Sequence, residues 1–195
     1  RSRRQRQMCI RDRLGFEVEE QTFAAIRELA QTIEKISAER IQTELVKLLT
    51  SDHPELIREV YTSGISDVIL PEFSVLMQTE QNNPHHCYTV GEHTIHVVQQ
   101  VENQKVLRLA ALFHDIAKPV CKTTDETGVD HFYGHPKEGA KMAHRIFRRL
   151  KFDVDTMQKV CGLVEWHDDN PNLAPAGIRK AIYLSLIHIS EPTRR

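Results

Sequence analysis

Apolar residues recur every three or four positions from residue 19 onward, and this spacing predicts a series of amphipathic helices. The first helix is predicted over residues 19–36, and Ser37 is placed to cap a second one. Pro54 fits the first turn of a third helix, which Gly64 would stop. The apolar residues that share a face in these helices are Phe23, Ile26, Ala30, Ile33, Ile41, Leu45, Leu48, Leu49, Ile57, Val60 and Tyr61. These apolar helix faces predict packing surfaces, and nothing in them alone indicates a catalytic or binding site.

The second half of the chain keeps the helical period after a polar, proline-containing loop at residues 81–88. Thr89 and Glu92 have the spacing of a capping box, which predicts a helix start there. A helix over residues 104–117 is apolar nearly all round, so we expect it to be buried. Pro136 and Asp155 mark two further helices, whose predicted buried residues are Ala143, Ile146, Phe147, Leu150, Met157, Val160, Cys161 and Val164. We predict an all-α fold with two helical subdomains.

His114 and Asp115 stand side by side at the end of the buried helix. Burying an ionisable pair is costly unless something compensates the charge. Neutral imidazole and carboxylate are metal ligands as they stand, so a metal ion would provide that compensation. The pair is therefore the first candidate for a metal site.

Other histidines crowd into the same part of the chain, which holds most of the 11 in the sequence. His93 shares a helix face with apolar residues, His135 stands at the mouth of a helix, and His167 extends an apolar stripe. A histidine on such a stripe usually forms hydrogen bonds in the core, but its neighbours here favour ligation. We interpret the tandem His85 and His86, and also His144, as solvated.

The net charge of −1 hides an uneven distribution. Residues 1–13 carry six Arg and one Asp, and residues 184–195 carry two Arg and one Glu, so the remainder has a charge of −7. An acidic remainder argues against a general electrostatic grip on nucleic acid, and we expect neither DNA nor a membrane as partner. The 4 cysteines are scattered without metal or disulfide spacing, which indicates reduced thiols in the cytoplasm.

The two ends have a different character. The strings at residues 1–13 and 184–195 resemble translated sequencing-adapter read-through. We expect that neither belongs to the natural protein, and that the natural protein extends beyond residues 14–183 in both directions.

The order of the candidate ligands resembles that of the HD phosphohydrolase superfamily. The resemblance lies in His93, the His114-Asp115-Ile-Ala-Lys118 string, the His135-Pro-Lys-Glu-Gly-Ala string and the later helical His167. It implies a metal set of His93, His114, Asp115, His135 and His167.

A closer resemblance links the chain from Leu14 to Leu184 to bacterial CCA-adding enzymes, the tRNA nucleotidyltransferases. It is carried by the strings LGFEVEEQTFAAI (14–26), ISAERI (36–41), ELVK (44–47), ILPE (69–72) and HFYGHP (131–136). The resemblance implies that residues 14–80 are neck and body helices of an RNA-binding type and that residues 81–183 are an HD domain. In that family tRNA is the substrate, and Mg²⁺ with CTP or ATP binds in a separate head domain.

Two departures from the family pattern matter. The catalytic head is absent from the sequence, so this chain is not expected to add nucleotides. HD proteins usually supply a final metal-binding Asp from a later helix, but the sequence leaves the pattern after residues 177–182. We therefore expect the HD bundle to be truncated at its C-terminus, with Asp168 as a substitute ligand.

Three hypotheses follow for the function. In the first, the site holds one or two ions of Mn, Fe, Co, Ni or Zn and hydrolyses a phosphoester, with Asp115 and Lys118 as catalytic residues. Lys118 would hold the substrate phosphate, or alternatively serve only as a cation at the end of a helix. In the second hypothesis, the HD unit is a scaffold for tRNA and the head. In the third, the chain is a free-standing HD phosphohydrolase.

Overall fold

A computed structural model describes residues 18–82 and 88–168, and helices account for most of them. In the first region the helices are α1 (Glu20–Leu29), a 3₁₀ segment (Ala30–Lys35), α2 (Ala38–Leu49), a 3₁₀ turn (Pro54–Leu56), α3 (Ile57–Thr62), α4 (Ile65–Ile69) and α5 (Pro71–Gln78). The helix predicted over residues 19–36 is thus present in two parts, with the tighter 3₁₀ geometry in its second half.

Local sequence sets the ends of these helices. The Ser37 hydroxyl accepts a hydrogen bond from the Arg40 backbone N–H at the start of α2, as predicted. Gly64 has φ of 73° between α3 and α4, a left-handed conformation that favours glycine. Pro71 begins α5, because proline has no N–H to donate and its fixed φ suits a first helical turn.

The second region contains a longer helical hairpin and one short β-hairpin. Its elements are α6 (Val90–Gln100), α7 (Lys105–Phe113), α8 (Lys118–Cys121), β1 (Thr123–Thr124), β2 (Asp130–His131), α9 (His135–Arg149) and α10 (Val154–Trp166). The antiparallel strands pair Thr123 with His131 and Thr124 with Asp130. Strands of two residues are too short to show an alternating pattern, so the sequence could not reveal them.

Buried apolar residues of both regions form one cluster. The predicted stripe of α9 is confirmed, since Ala143, Ile146, Phe147 and Leu150 are all buried. In α10, Val160 and Val164 are buried, while Met157 and Cys161 pack against the cluster from partly buried positions. The all-α prediction is confirmed, and the division of the chain at residue 81 stays a prediction.

Ion pairs and close packing join the first region to the second. Arg58 donates two hydrogen bonds to Glu92, at 3.0 and 2.6 Å, and Arg149 donates two to Glu72, at 2.8 and 2.7 Å.

The capping box predicted at Thr89 and Glu92 is only half formed. The Thr89 hydroxyl accepts from the Glu92 N–H, but the Glu92 carboxylate binds Arg58. Next to it, Gly91 lies so close to Met77 that a Cβ atom would collide with the Met77 backbone.

No helix within residues 18–82 and 88–168 combines the length and the apolar character needed to cross a bilayer.

Candidate metal centre

The His114–Asp115 pair follows the end of α7 directly. The helix predicted over residues 104–117 ends at Phe113, and the next four residues form turns before α8 begins. The turns carry His114 and Asp115 out of the apolar helix while Ile116 and Ala117 stay buried behind them. The pair therefore stands at a helix end, where neighbouring elements can reach it.

Asp115 is the centre around which the predicted site residues gather. Its Oδ2 atom lies 3.1 Å from His114 Nε2 and 3.9 Å from His93 Nε2. Its Oδ1 atom lies 3.3 Å from His135 Nε2 and 3.6 Å from His167 Nε2. The structure thus brings all five residues of the predicted metal set together.

Backbone carbonyls orient three of the four imidazoles in the same way. The Nδ1 atoms of His114, His135 and His167 each lie 2.8 Å from the carbonyl oxygen three residues earlier. Since a carbonyl only accepts, each Nδ1 carries the proton, and in the neutral ring each Nε2 presents a lone pair. A hydrogen bond of this kind commonly fixes the tautomer of histidines that ligate metals.

The resulting arrangement points lone pairs at one another. His135 Nε2 and His167 Nε2 are 3.2 Å apart, and both face the carboxylate of Asp115. Two lone pairs and an anionic oxygen repel at these distances unless a proton or a metal cation lies among them. The donor set of imidazole nitrogens and a carboxylate therefore fits a divalent transition metal.

The electrostatics of Asp115 agree with this fit. Asp115 is 1% exposed, and its Oδ2 atom lies 2.8 Å from the Lys118 ammonium nitrogen. Burial alone would raise the pKa of Asp115. When the imidazoles of His114, His135 and His167 carry a second proton on Nε2, their hydrogen bonds to the carboxylate outweigh burial and hold this pKa far below its ordinary value. For His167, burial lowers the pKa, but the Asp115 carboxylate outweighs burial and raises it. Asp115 is therefore a carboxylate ready to bind a cation.

The possible ligands divide into two groups that share Asp115. His93, His114 and Asp115 form one group, and Asp115, His135 and His167 form the other, with the ligand atoms of each group within 4.8 Å of one another. Because opposite oxygens of the carboxylate face the two groups, these residues would hold either one ion or two. The imidazoles of His93 and His167 are 32% and 21% exposed, so the site is open to solvent on their side.

The position of Lys118 disagrees with the simpler of its two predicted roles, that of a cation at the end of a helix. Its Nζ atom is 2.8 Å from Asp115 Oδ2 and donates a hydrogen bond of 3.3 Å to Gln81 Oε1. It also lies 5.3 Å from the centre of the Phe132 ring. The interpretation as a cation on the C-terminal carbonyls of the preceding helix is wrong, because that helix ends at Phe113 and the ammonium group turns into the site. Sequence analysis missed the contact with Gln81, since no local pattern links the two residues.

The short β-hairpin holds the segment that leads into α9. Asp130 is buried and accepts hydrogen bonds from the Asn82 N–H and Thr124 Oγ1, both at 2.7 Å, and it pairs with Lys122 at 2.8 Å. The Lys122 ammonium and these hydrogen bonds lower the pKa of Asp130 to about 2. This anchoring places the Phe132 carbonyl where it accepts from His135 Nδ1.

A glycine lets α9 approach the metal centre closely. A Cβ atom on Gly139 would lie 3.3 Å from the Val164 side chain and 3.6 Å from the His114 carbonyl oxygen. An alanine would require Val164 to shift by a few tenths of an ångström, and a side chain larger than alanine would push α9, and His135 with it, away from the His114–Asp115 turn. The glycine of the family-like string at residues 135–140 thus has a packing reason in this fold.

The other histidines and the aspartate considered in the sequence lie outside the metal centre or outside the described residues. His144 is exposed on α9, as expected. Asp168 is exposed and belongs to neither possible ligand group. His85 and His86 lie outside the described residues, as does the part of the chain after residue 168.

A helical bundle that gathers four histidines around one buried aspartate is the architecture of an α-helical metal-binding domain. Residues 85–190 match the HD domain, and the chain belongs to the HD domain family. Domains of this family are generally metal-dependent, in agreement with the possible ligand groups seen here. Residues 15–77 match a second family, described as "Probable RNA and SrmB-binding site of polymerase A".

Curated relatives agree with both family matches. The chain is 34% identical over 168 residues to the CC-adding tRNA nucleotidyltransferase of Thermus thermophilus, which covers 80% of the chain and 38% of that protein. It is 32% identical over 165 residues to a multifunctional CCA protein of Actinobacillus pleuropneumoniae (79% and 39%). It is 32% identical over 168 residues to the A-adding tRNA nucleotidyltransferase of Deinococcus radiodurans (79% and 38%). The chain therefore spans less than half the length of these relatives, and the predicted resemblance to CCA-adding enzymes is confirmed.

Proposed function

We propose that this HD domain is a metal-dependent phosphohydrolase or phosphodiesterase. The observation that carries the proposal is the convergence of carbonyl-anchored imidazoles on the buried carboxylate of Asp115. The metal would be held by His93, His114, Asp115, His135 and His167. These residues would hold one ion or two.

A bound divalent transition metal would polarise a phosphoryl oxygen and lower the pKa of an attacking water molecule. The mixed nitrogen and oxygen donors suit Mn, Fe, Co, Ni or Zn, and they suit Mg less well because Mg prefers oxygen ligands.

The residues of the chain supply orientation and charge. The carbonyls of Ala111, Phe132 and Val164 hold the imidazoles with their Nε2 atoms facing inward, so no ring has to reorient during the reaction. Lys118 is a buried cation beside Asp115, and we propose that it binds a non-reacting phosphate oxygen of the substrate. The exposed side at His93 and His167 would admit the phosphoester.

Metal analysis of the purified protein tests the site. We expect bound transition metal in the wild type and a loss of about tenfold or more in affinity in His114→Ala. His144→Ala is the matched control, since His144 is exposed on α9 and outside both groups. Equal metal content in His114→Ala and His144→Ala would contradict the proposal.

A generic phosphatase substrate with added Ni²⁺ or Mn²⁺ tests the chemistry. We expect turnover that His114→Ala abolishes and that Lys118→Ala reduces by about 10²-fold, as for loss of one charge-stabilising donor. Metal binding without turnover of phosphomonoesters or phosphodiesters would favour the alternative, in which the HD unit is a scaffold.

We also propose that the chain works on tRNA in the cytoplasm, as the C-terminal part of a tRNA nucleotidyltransferase. The names of the relatives and the two family matches support this proposal. Those names differ in the nucleotides added, so the proposal does not specify them. Sequencing the coding DNA upstream of residue 14 is expected to reveal a head domain with paired carboxylates. Its absence would favour a free-standing HD phosphohydrolase.

A further inference from the structure

The C-terminal half of α9 is strongly basic in a chain whose remainder is acidic. Residues 139–152 contain five Lys or Arg residues and no Asp or Glu. Three of the five are held by acidic partners: Arg149 by Glu72, and Lys141 and Arg145 by Glu138. The other two of these five residues, Arg148 and Lys151, form no ion pair within the described part of the chain.

Both of these cations line a cavity. The cavity has a volume of about 420 Å³ and lies where the end of α9 meets the start of α10. Its lining residues are His144, Arg148, Lys151, Phe152, Val154 and Met157. The lining thus combines two cations and a histidine with three apolar side chains, and a ligand with both anionic and apolar parts would match this combination.

The backbone holds one of these cations in an unusual position. Lys151 has φ of 59°, in the left-handed region, just after α9 ends. The Phe152 N–H donates to the Phe147 carbonyl at 3.0 Å, which completes a Schellman-type helix end. Glycine is the usual residue at that position, so the chain keeps a cation where the backbone conformation favours glycine.

We propose that this basic cavity is an RNA-binding site, in which Arg148 and Lys151 contact phosphates and a ribose or base packs on the exposed Val154 and the partly exposed Met157. Phosphates take charged contacts from Arg and Lys, whereas aromatic and apolar side chains accept the faces of unpaired bases. An acidic peptide would form ion pairs with the two cations but would leave the apolar lining residues without a partner. The inference extends the proposal that the chain works on tRNA, and it does not depend on phosphohydrolase activity.

The site lies apart from the metal centre. His135 begins α9 and Arg148 is near its end, and 13 residues of α-helix span about 20 Å. A tRNA held at the basic cavity would therefore contact the end of the α9–α10 hairpin opposite to the metal centre. Variants of the cavity should leave metal binding intact.

Fluorescence anisotropy with labelled bulk bacterial tRNA tests the site in the full chain. In Lys151→Gly and in Arg148→Ala we expect a several-fold weaker Kd and a salt dependence smaller by about one phosphate contact each. Lys151→Gly is the sharper variant, because glycine suits the backbone there and the fold should become more stable while RNA binding weakens. Lys137→Ala removes an exposed cation at the other end of α9 and should change Kd less than twofold.

Other results would overturn the inference. Equal effects of Lys137→Ala and Lys151→Gly would mean that only overall charge matters. A labelled polyglutamate peptide that loses binding in Lys151→Gly, while tRNA binding stays unchanged, would identify an acidic protein partner instead. Metal content measured in the same variants separates this failure from failure of the metal site. Finding a nucleotidyltransferase head upstream, together with unchanged tRNA binding in Lys151→Gly, would reject the RNA site alone.

Discussion

The first helical region, residues 18–82, and the second, residues 88–168, bury different kinds of polar side chain. The buried polar residues described in the first are neutral: Ser63, Ser66, Ser74 and Gln81. Those described in the second include ionisable groups: Arg108, Asp115, Lys118, Asp130 and His135. The two regions share one apolar core, so the difference does not arise from how well each is packed.

The comparison shows that the second region is where the fold accepts the free-energy cost of burying ionisable side chains. A buried hydroxyl is satisfied by one neighbour, as in the 2.7 Å hydrogen bond between Ser66 and Ser74. A buried carboxylate needs several partners or a cation, and Asp115 has four imidazoles and an ammonium group around it. Such a concentration of charge is a poor way to stabilise a fold, which favours a functional role for it.

The largest expected effect is the loss of metal in Asp115→Asn. Both possible ligand groups share Asp115, so removing its charge should reduce bound metal to the background of the measurement. Elemental analysis of the purified variant checks this. Ser66→Ala is the control from the first region, and it should lower the free energy of unfolding by about 1 kcal/mol without changing metal content. Full metal retention in Asp115→Asn would remove the distinction between the two regions.

The second prediction concerns the shared core. Phe73 is 0% exposed in α5, and Phe73→Ala should lower the free energy of unfolding by about 3–5 kcal/mol through the cavity it leaves. Val75 is 52% exposed on the same helix, and Val75→Ala should change stability by no more than about 0.5 kcal/mol. Chemical denaturation measures both. The folded fraction of Phe73→Ala should keep its metal; a selective loss of metal would mean that the first region shapes the site.

The third prediction concerns the close packing of α6 against α5. Gly91→Ala would force a Cβ atom into the Met77 backbone, which cannot move aside as a flexible side chain could. We expect a loss of about 1–3 kcal/mol in the free energy of unfolding. Gly162→Ala is the matched control in α10, where the new Cβ meets nothing within 4 Å. It should stabilise the protein by about 0.5–1 kcal/mol, and a similar loss in both variants would argue against the close approach at Gly91.

The smallest expected effect is at the ion pair between Glu72 and Arg149. Burial raises the pKa of Glu72, but the hydrogen bonds from Arg149 outweigh burial and lower it below its ordinary value of 4.5. The pair therefore stabilises the fold above pH 4.5, and this contribution is lost as the pH falls through the lowered pKa.

Because the pair is partly exposed, Glu72→Gln should cost only about 0.2–1 kcal/mol at pH 7. Denaturation midpoints at pH 7 and below pH 4 should show the difference between wild type and Glu72→Gln shrinking in acid. A difference that is constant with pH would mean that Glu72 contributes through packing rather than charge.

Much of the fold could be predicted because it depends on local pattern. The stripe of α9, the cap at Ser37 and the turn at Gly64 all follow from residues within a few positions of one another. The prediction of one continuous helix over residues 104–117 was wrong at its end, because the four residues after Phe113 form turns that carry the His114–Asp115 pair into the site. The prediction of a capping box at Thr89 was only half correct, because the Glu92 carboxylate accepts hydrogen bonds from Arg58.

The sequence alone determined which helices form, which faces they bury and which residue types are available for metal chemistry. It could do so because periodicity, caps and turns depend on neighbours along the chain. Only the tertiary structure decided that the Nε2 atoms of four histidines surround Asp115, that Gln81 reaches Lys118, and that two unpaired cations share a cavity with Phe152. Those contacts join residues as many as 74 positions apart, as His93 and His167 are, and chain packing alone brings them together.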